Sequence, residues 1–191
     1  MTAPKGRTDL RLFTPRLELI SATAELARAE INNLSAFAAT LDVPLPTAWP
    51  PPLNDEQSQR FLLSAMEKSG PNEAGWHLWF CIRRDPRALL GNIGFKGVPR
   101  DGVADIGYSL LEAHQGNGYC TEAVRALMSW AFQHSEVAKI VADTLPELVP
   151  SIRVMEKSGM EFIGEGPIED GMHTIRYELT RERYVRLYNS R

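Results

Sequence analysis

The spacing of apolar residues changes repeatedly along the chain, and each change predicts an element. A strand is expected over about 10–20, a helix over about 23–40, a proline-rich loop from Pro44 to Pro52, and a helix over about 55–69. Strands near 77–83, 89–97 and 103–110 follow as a meander, with turns marked by Asp85-Pro86 and Arg100-Asp101-Gly102. Val124, Leu127, Met128 and Ala131 then recur at helical spacing, giving a long helix over about 119–134 one apolar face. A strand at about 138–144, a helix at about 149–158, and strands near 160–165 and 172–180 come next. Tyr184, Leu187 and Tyr188 mark a short terminal helix. This is an α+β plan, and residues 1–191 read as one domain.

The most informative chemistry lies where the third meander strand gives way to the long helix. Val103 to Leu110 alternates as a strand should, and Gln115-Gly116-Asn117-Gly118-Tyr119-Cys120-Thr121 leads into the helix. The first N–H groups of a helix have no partner within it, carry the positive end of the dipole, and bind phosphate when no side chain blocks the approach. Gly116 and Gly118 give that clearance. A Walker loop would need Lys-Ser or Lys-Thr after its last glycine, where Tyr119-Cys120 stands. A dinucleotide fingerprint would need a third glycine where Thr121 stands.

What remains is Gln-x-x-Gly-x-small, formed by Gln115, Gly118 and Cys120. It resembles motif A of the GNAT N-acetyltransferases, which cradles the pyrophosphate of coenzyme A. Thr14-Pro15-Arg16-Leu17-Glu18-Leu19 is similar to the opening strand of the RimJ/RimL-like branch, and Leu90-Gly91-Asn92-Ile93-Gly94-Phe95 to its third strand. Thr144-Leu145-Pro146-Glu147 and Ser151 through Gly159 resemble its fifth strand end and fourth helix, so the matches come in family order over nearly the whole chain. The resemblance implies an α+β fold whose mixed central sheet splays between its fourth and fifth strands, flanked by helices. It implies acetyl-CoA as cosubstrate, no metal, and a cofactor site at Ser109, Leu110, Leu111, Gln115, Gly116, Asn117, Gly118, Tyr119, Cys120, Thr121 and Ser151. Cys120 is either a small residue beside the pyrophosphate or a thiol activated by the helix end. Lys157 is either an outer-phosphate contact or a solvated helix charge.

Direct attack by a neutral amine on the thioester needs a base for the acceptor and help for the leaving thiolate. Strand alternation puts Asp105, Gly107 and Ser109 on one small, polar face. Histone-modifying relatives place a basic glutamate where Asp105 stands, so Asp105 is the candidate base, its alternative being an ordinary surface acid. His77 is the other candidate, among Trp76, Leu78 and Trp79, where a half-buried structural histidine is the competing reading. Many family members carry Asn and Tyr on the thiol side, and the matching positions are Leu148 and Met155. In RimL-like relatives a serine is proposed for that role; Ser151 matches it, with a helix-capping hydroxyl as the alternative. Trp49 on its proline loop is expected either to wall the acceptor channel or to anchor the loop, and His77 is grouped with it on the acceptor side. Glu165, Glu169 and Asp170 in the last hairpin offer acidic attraction for a cationic amine or a solvated turn. The branch implies a protein N-terminal amino group as acceptor, and small amines are acetylated by relatives.

Composition narrows the remaining classes. With 43% hydrophobic and 24% charged residues the chain is ordinary for a globular domain, and a net charge of −3 without a basic stripe argues against a nucleic-acid partner. No apolar stretch approaches membrane-spanning length, and no signal peptide is evident, so a cytoplasmic location without membrane partners is expected. Cys81 and Cys120 suit a reducing compartment. A homodimer stays open, as do a noncatalytic acyl-CoA sensor and an interaction module retaining only the fold.

Overall fold

The computed structural model describes residues 10–52, 54–70, 73–169 and 171–188, so Asp170 lies outside the described residues. Its strands are β1 (Arg11–Phe13), β2 (Leu17–Ser21), β3 (Leu78–Arg84), β4 (Arg87–Phe95), β5 (Val103–Leu110), β6 (Lys139–Thr144), β7 (Glu161–Glu169) and β8 (Met172–Thr180). Its helices are α1 (Ala24–Asn32), α2 (Leu34–Leu41), α3 (Glu56–Lys68), α4 (Tyr119–Ala131), α5 (Val149–Lys157) and α6 (Arg181–Tyr188). The strands join in the order β1-β2-β3-β4-β5-β6-β8-β7. Every neighbouring pair is antiparallel except β5 with β6.

Two predicted elements are divided. The strand expected over 10–20 folds back as the hairpin β1–β2. Pro15 has no N–H for a ladder, and Thr14 closes the turn by donating its N–H to Leu17 O (3.0 Å) while its hydroxyl accepts from Leu17 N–H (2.9 Å). The helix expected over 23–40 breaks at Asn33. There the backbone leaves helical geometry (φ −155°), and the side chain accepts from Ala36 N–H at 3.0 Å, capping α2 where α1 stops. The β7 strand also runs further than expected, to Glu169.

The sheet has a core on each face. Alternation along β3 sends Trp79 and Cys81 to the side covered by α4, and Leu78, Phe80 and Ile82 to the side covered by α1 and α2. Both faces being buried is why β3 reads as an unbroken apolar run. On the α4 side Val124, Leu127, Met128 and Ala131 meet Leu90, Ile93, Ala104 and Ile106. On the other side Phe37, Leu41 and Trp49 lie over Ile20, Phe80 and Ile82.

The feature that positions the site is the parting of β5 from β6. They pair only from Val103 with Lys139 to Asp105 with Val141. Beyond that point β5 continues against β4 as far as Leu110, and β6 continues against β8 as far as Thr144, so the two diverge. Because the first predicted strand is two, the divergence falls between the fifth and sixth strands in chain order. On the β4 side the contact is tight: a Cβ on Gly91 would lie 2.2 Å from Ser109 O.

Candidate active site

The loop before α4 is built by its own side chains. Gln115 donates its Nε2 to Leu110 O at 2.9 Å, and Asn117 Nδ2 donates to Gln115 O at 2.9 Å, which fixes the turn. Gly116 (φ 74°) and Gly118 (φ 77°) adopt left-handed conformations, and a Cβ on Gly116 would meet nothing within 4 Å, so the backbone there is open to approach. The first bond inside α4 is Glu122 N–H to Gly118 O (3.1 Å). The N–H groups of Tyr119, Cys120 and Thr121 precede it and are the free donors of the helix start.

A contact from the opposite end of the sequence completes this site. Arg16, in the β1–β2 turn, donates to Asn117 O (3.0 Å) and to Glu122 Oε2 (2.6 Å), and its guanidinium lies 4.5 Å from the Tyr119 ring centre. Glu122 also accepts from Thr14 Oγ1 (2.6 Å) and Arg16 N–H (3.0 Å). These bonds hold its carboxyl below the usual range although burial works against them. Two clefts flank the loop: one of about 370 Å³ bordered by Arg16, Arg83, Arg84 and Tyr119, the other of about 660 Å³ bordered by Arg16, Gly118, Thr121, Arg125 and Lys157. The one acid bordering the larger cleft, Glu122, is already neutralised by Arg16. Free helix amides ringed by guanidinium and ammonium groups fit a phosphate-bearing cofactor, and Lys157 is on that ring. Cys120 packs half-buried against the core, and desolvation pushes its thiol up to about 12, so it is a small packing residue and no thiolate nucleophile.

Between β5 and β6 the backbone is directional. In the antiparallel ladder Asp105 O accepts Lys96 N–H (2.9 Å) and Leu111 N–H donates to Leu90 O (2.9 Å). Alternation therefore turns the N–H and C=O groups of Tyr108 and Leu110 toward β6. Leu111 N–H is already engaged, which leaves the free edge one residue earlier than the stretch Ser109 to Leu111 expected from the family. The Ser109 hydroxyl donates to Pro52 O, which draws the proline loop over this part of β5. Across the gap Ser151 lies in the first turn of α5, its Oγ 3.1 Å from the Tyr108 hydroxyl; the residue capping α5, Leu148, makes no side-chain cap bond.

Asp105 sits where pairing stops. Its Oδ2 is 3.5 Å from Lys96 Nζ, and its Oδ1 is buried without a hydrogen-bond partner. Lys96 is shared with Glu169 at 2.6 Å, and Asp143 is held by two bonds from Arg176 at 2.7 and 2.8 Å. Burial pushes the Asp105 carboxyl up to about 6; Lys96 opposes the rise and the neighbouring Asp143 adds to it. A partly solvated acid with a pKa near neutrality and an unpaired oxygen can accept a proton from a bound group.

The two residues expected on the acceptor side each have packing or hydrogen-bond partners within the fold. His77 Nε2 is 2.7 Å from Ser69 Oγ and 4.0 Å from Glu73, and burial lowers its pKa. Trp49 is 8% exposed and packs against Phe37 (5.7 Å between ring centres) and Phe80 (6.2 Å), which makes it the anchor of its loop. Its Nε1 has no partner of good geometry but lies close enough to Glu30 to favour that carboxylate's charge. Glu165 is exposed on β7. Sequence reasoning missed Arg16, Lys96 and Tyr108. The first two had no local signal, and strand alternation sets Tyr108 only on the face opposite Asp105, Gly107 and Ser109. Among the described residues no group of three or more His, Cys, Asp or Glu side chains could hold a metal ion, and no helix is long and apolar enough to cross a membrane.

The acetyltransferase (GNAT) domain profile matches residues 16–161, more than half of the chain. The chain belongs to the GNAT acetyltransferase family. Among relatives of this GNAT chain, the uncharacterized N-acetyltransferase YjdG of Bacillus subtilis is 31% identical over 44% of this chain and 51% of its own. The ribosomal-protein-serine acetyltransferase of Escherichia coli K12 is 32% identical over 50% of this chain and 52% of its own. The chain thus spans about half the length of the curated relatives it matches. A solved structure of RimL, a ribosomal L7/L12 alpha-N-protein acetyltransferase in complex with coenzyme A, superposes with a TM-score of 0.63 at 18% identity. It covers 87% of this chain and 95% of that one, and shows the shared GNAT fold.

Proposed function

We propose that this GNAT chain transfers an acetyl group from acetyl-CoA to a primary amine, with a protein N-terminal amino group as the preferred acceptor and small amines as the alternative. Acetyl-CoA supplies an activated acetyl thioester. The amides of Tyr119, Cys120 and Thr121, with Arg16 and Lys157, hold its phosphates. The free N–H and C=O of Tyr108 and the free N–H of Leu110 receive the extended arm, the Leu110 carbonyl being held by Gln115. Asp105 removes the proton that keeps the acceptor amine unreactive, and Ser151 faces the departing sulfur. The names of the Escherichia coli relative and of RimL, both acting on ribosomal proteins, support the acceptor class.

The observation that carries this reading is Asp105 itself: a carboxyl pushed up to about 6, with one buried oxygen left unpaired, where β5 leaves β6. The test is a free-thiol assay of acetyl-CoA turnover against a library of N-terminal peptides and small amines, followed by a pH–rate profile. The rate should fall as pH drops through about 6, because Asp105 is then protonated and cannot accept. Asp105→Asn should lower the rate near neutrality by about a hundred- to ten-thousand-fold, with partial recovery in alkali as solvent deprotonates the amine. Superimposable profiles for parent and variant would make Asp105 an ordinary acid.

A further inference from the structure

Tyr108 alternates onto the α4 face of β5, where its ring packs against the core. Its hydroxyl reaches α5, the helix that follows β6, and lies 3.1 Å from Ser151 O and 3.1 Å from Ser151 Oγ. This contact ties β5 to α5 beyond the point where β5 and β6 stop pairing, at Asp105 and Val141. A phenol has one proton, and here two acceptors compete for it. When Ser151 O takes it, the serine hydroxyl is occupied in donating back to Tyr108. When Ser151 Oγ takes it, the serine proton is free to point elsewhere. The heavy atoms are the same in both states, so the exchange needs only rotation of two hydrogens.

We propose that Tyr108 is a positioning residue for Ser151: by donating to Ser151 Oγ it turns the serine proton toward the sulfur that leaves during acyl transfer, an inference that rests on the acetyl-transfer reading above. A C–N bond forms between the acceptor amine and the acetyl carbon, the C–S bond breaks, and its electron pair stays on sulfur, where the serine O–H donates to it. The first ammonium proton passes to Asp105 and then to solvent, the second N–H proton leaves to solvent as the amide forms, and the sulfur draws its final proton from solvent. Neither hydroxyl ionises. Burial pushes the Tyr108 phenol well above its ordinary value, so it stays a donor throughout the neutral range. Two hydroxyls in series polarise one another, which makes the terminal donor stronger than Ser151 alone.

The test compares the parent with Tyr108→Phe, Ser151→Ala and the double variant. Tyr108→Phe keeps the ring and its packing. The first measurement needs no acceptor: CoA is bound and its thiol is titrated by ultraviolet thiolate absorbance, with affinity from calorimetry. The bound thiol's pKa should rise by about one unit in each single variant and no further in the double, because both remove the same donor. With a working acceptor, kcat should fall about tenfold in each single variant without multiplying in the double, while KM for acetyl-CoA stays within about twofold. Ser151→Thr, which keeps a hydroxyl, should restore most of the rate. A parental thiol titration and kcat in Tyr108→Phe, or losses that multiply, would overturn the proposal. So would a lowered Tm with normal turnover per folded molecule, which would make the pair a structural hydrogen bond. Failure of the acetyl-transfer reading looks different: the parent itself would turn over no amine, while the titration of bound CoA would still report whether Tyr108 and Ser151 act together.

Discussion

Glu30 offers a stability prediction that can be worked through from its surroundings. It is 3% exposed on α1, and its Oε1 accepts from Asn54 Nδ2 (3.3 Å) and Gln59 Nε2 (3.2 Å). Burial pushes the carboxyl up from 4.5 to about 7, against the hydrogen bonds from Asn54 and Gln59 and the nearby Trp49 indole. The native state therefore holds a proton that the unfolded chain releases, and stability must fall as pH rises between about 4.5 and 7. Two to three pKa units correspond to about 3 kcal/mol, nearly all of it lost by about pH 8. Glu30→Gln keeps the shape but cannot ionise. Denaturant unfolding of both proteins across this range isolates the group, because other acids such as Asp105 and Glu122 titrate in both and cancel. The variant should gain about 3 kcal/mol relative to the parent between the acid and alkaline ends. Parallel stability curves would refute the reasoning and mean that the carboxylate is already ionised in the fold at low pH. Since Trp49 and Asn54 flank Pro52, whose carbonyl holds the Ser109 hydroxyl, charging Glu30 also loosens the loop over β5. Hydrogen exchange at the Trp49 and Asn54 amides should rise with pH more steeply in the parent than in the variant.

Gly118→Glu puts a side chain on a left-handed residue whose Cβ would stand 3.5 Å from Arg16 Nη2. Its carboxylate would occupy the anion site, and calorimetry should show CoA binding abolished with the circular dichroism of the fold retained; unchanged affinity would sink the phosphate-loop assignment. Trp49→Ala should cost about 3–5 kcal/mol of stability by denaturant titration, the usual price of emptying a buried aromatic site. A raised acceptor KM at parental stability would instead make Trp49 part of the acceptor channel.

Much of the site was readable from short stretches. The glycine-cleared loop depends on residues 115–121 and on the periodicity of the helix after it, both local, and the polar face of Asp105, Gly107 and Ser109 follows from strand alternation alone. The broken helix at Asn33 and the hairpin at Pro15 were also local, but the apolar pattern ran straight across them. β2 is buried at all five positions and shows no alternation, and Asn33 caps through a side chain that hydrophobic spacing ignores. Trp49 on its proline loop admitted two readings because nothing nearby in sequence says that Phe37 and Phe80 would stack beside it.

The sequence by itself determined the order of elements and the anion-binding turn, since both rest on local spacing and on steric rules that hold before the chain folds, and the family, through matches in order along the chain. Only the tertiary structure decided which groups are charged and what they touch. Arg16 meets the loop across 101 positions, Lys96 meets Glu169 across 73, and Tyr108 meets Ser151 across 43. The proton affinity of Asp105 comes from burial, from Lys96 just past β4, and from charges on β6, β7 and β8. Desolvation and Coulomb interactions act through space and ignore separation along the chain, so a residue's type can nominate it as a base while only the fold sets whether it works as one.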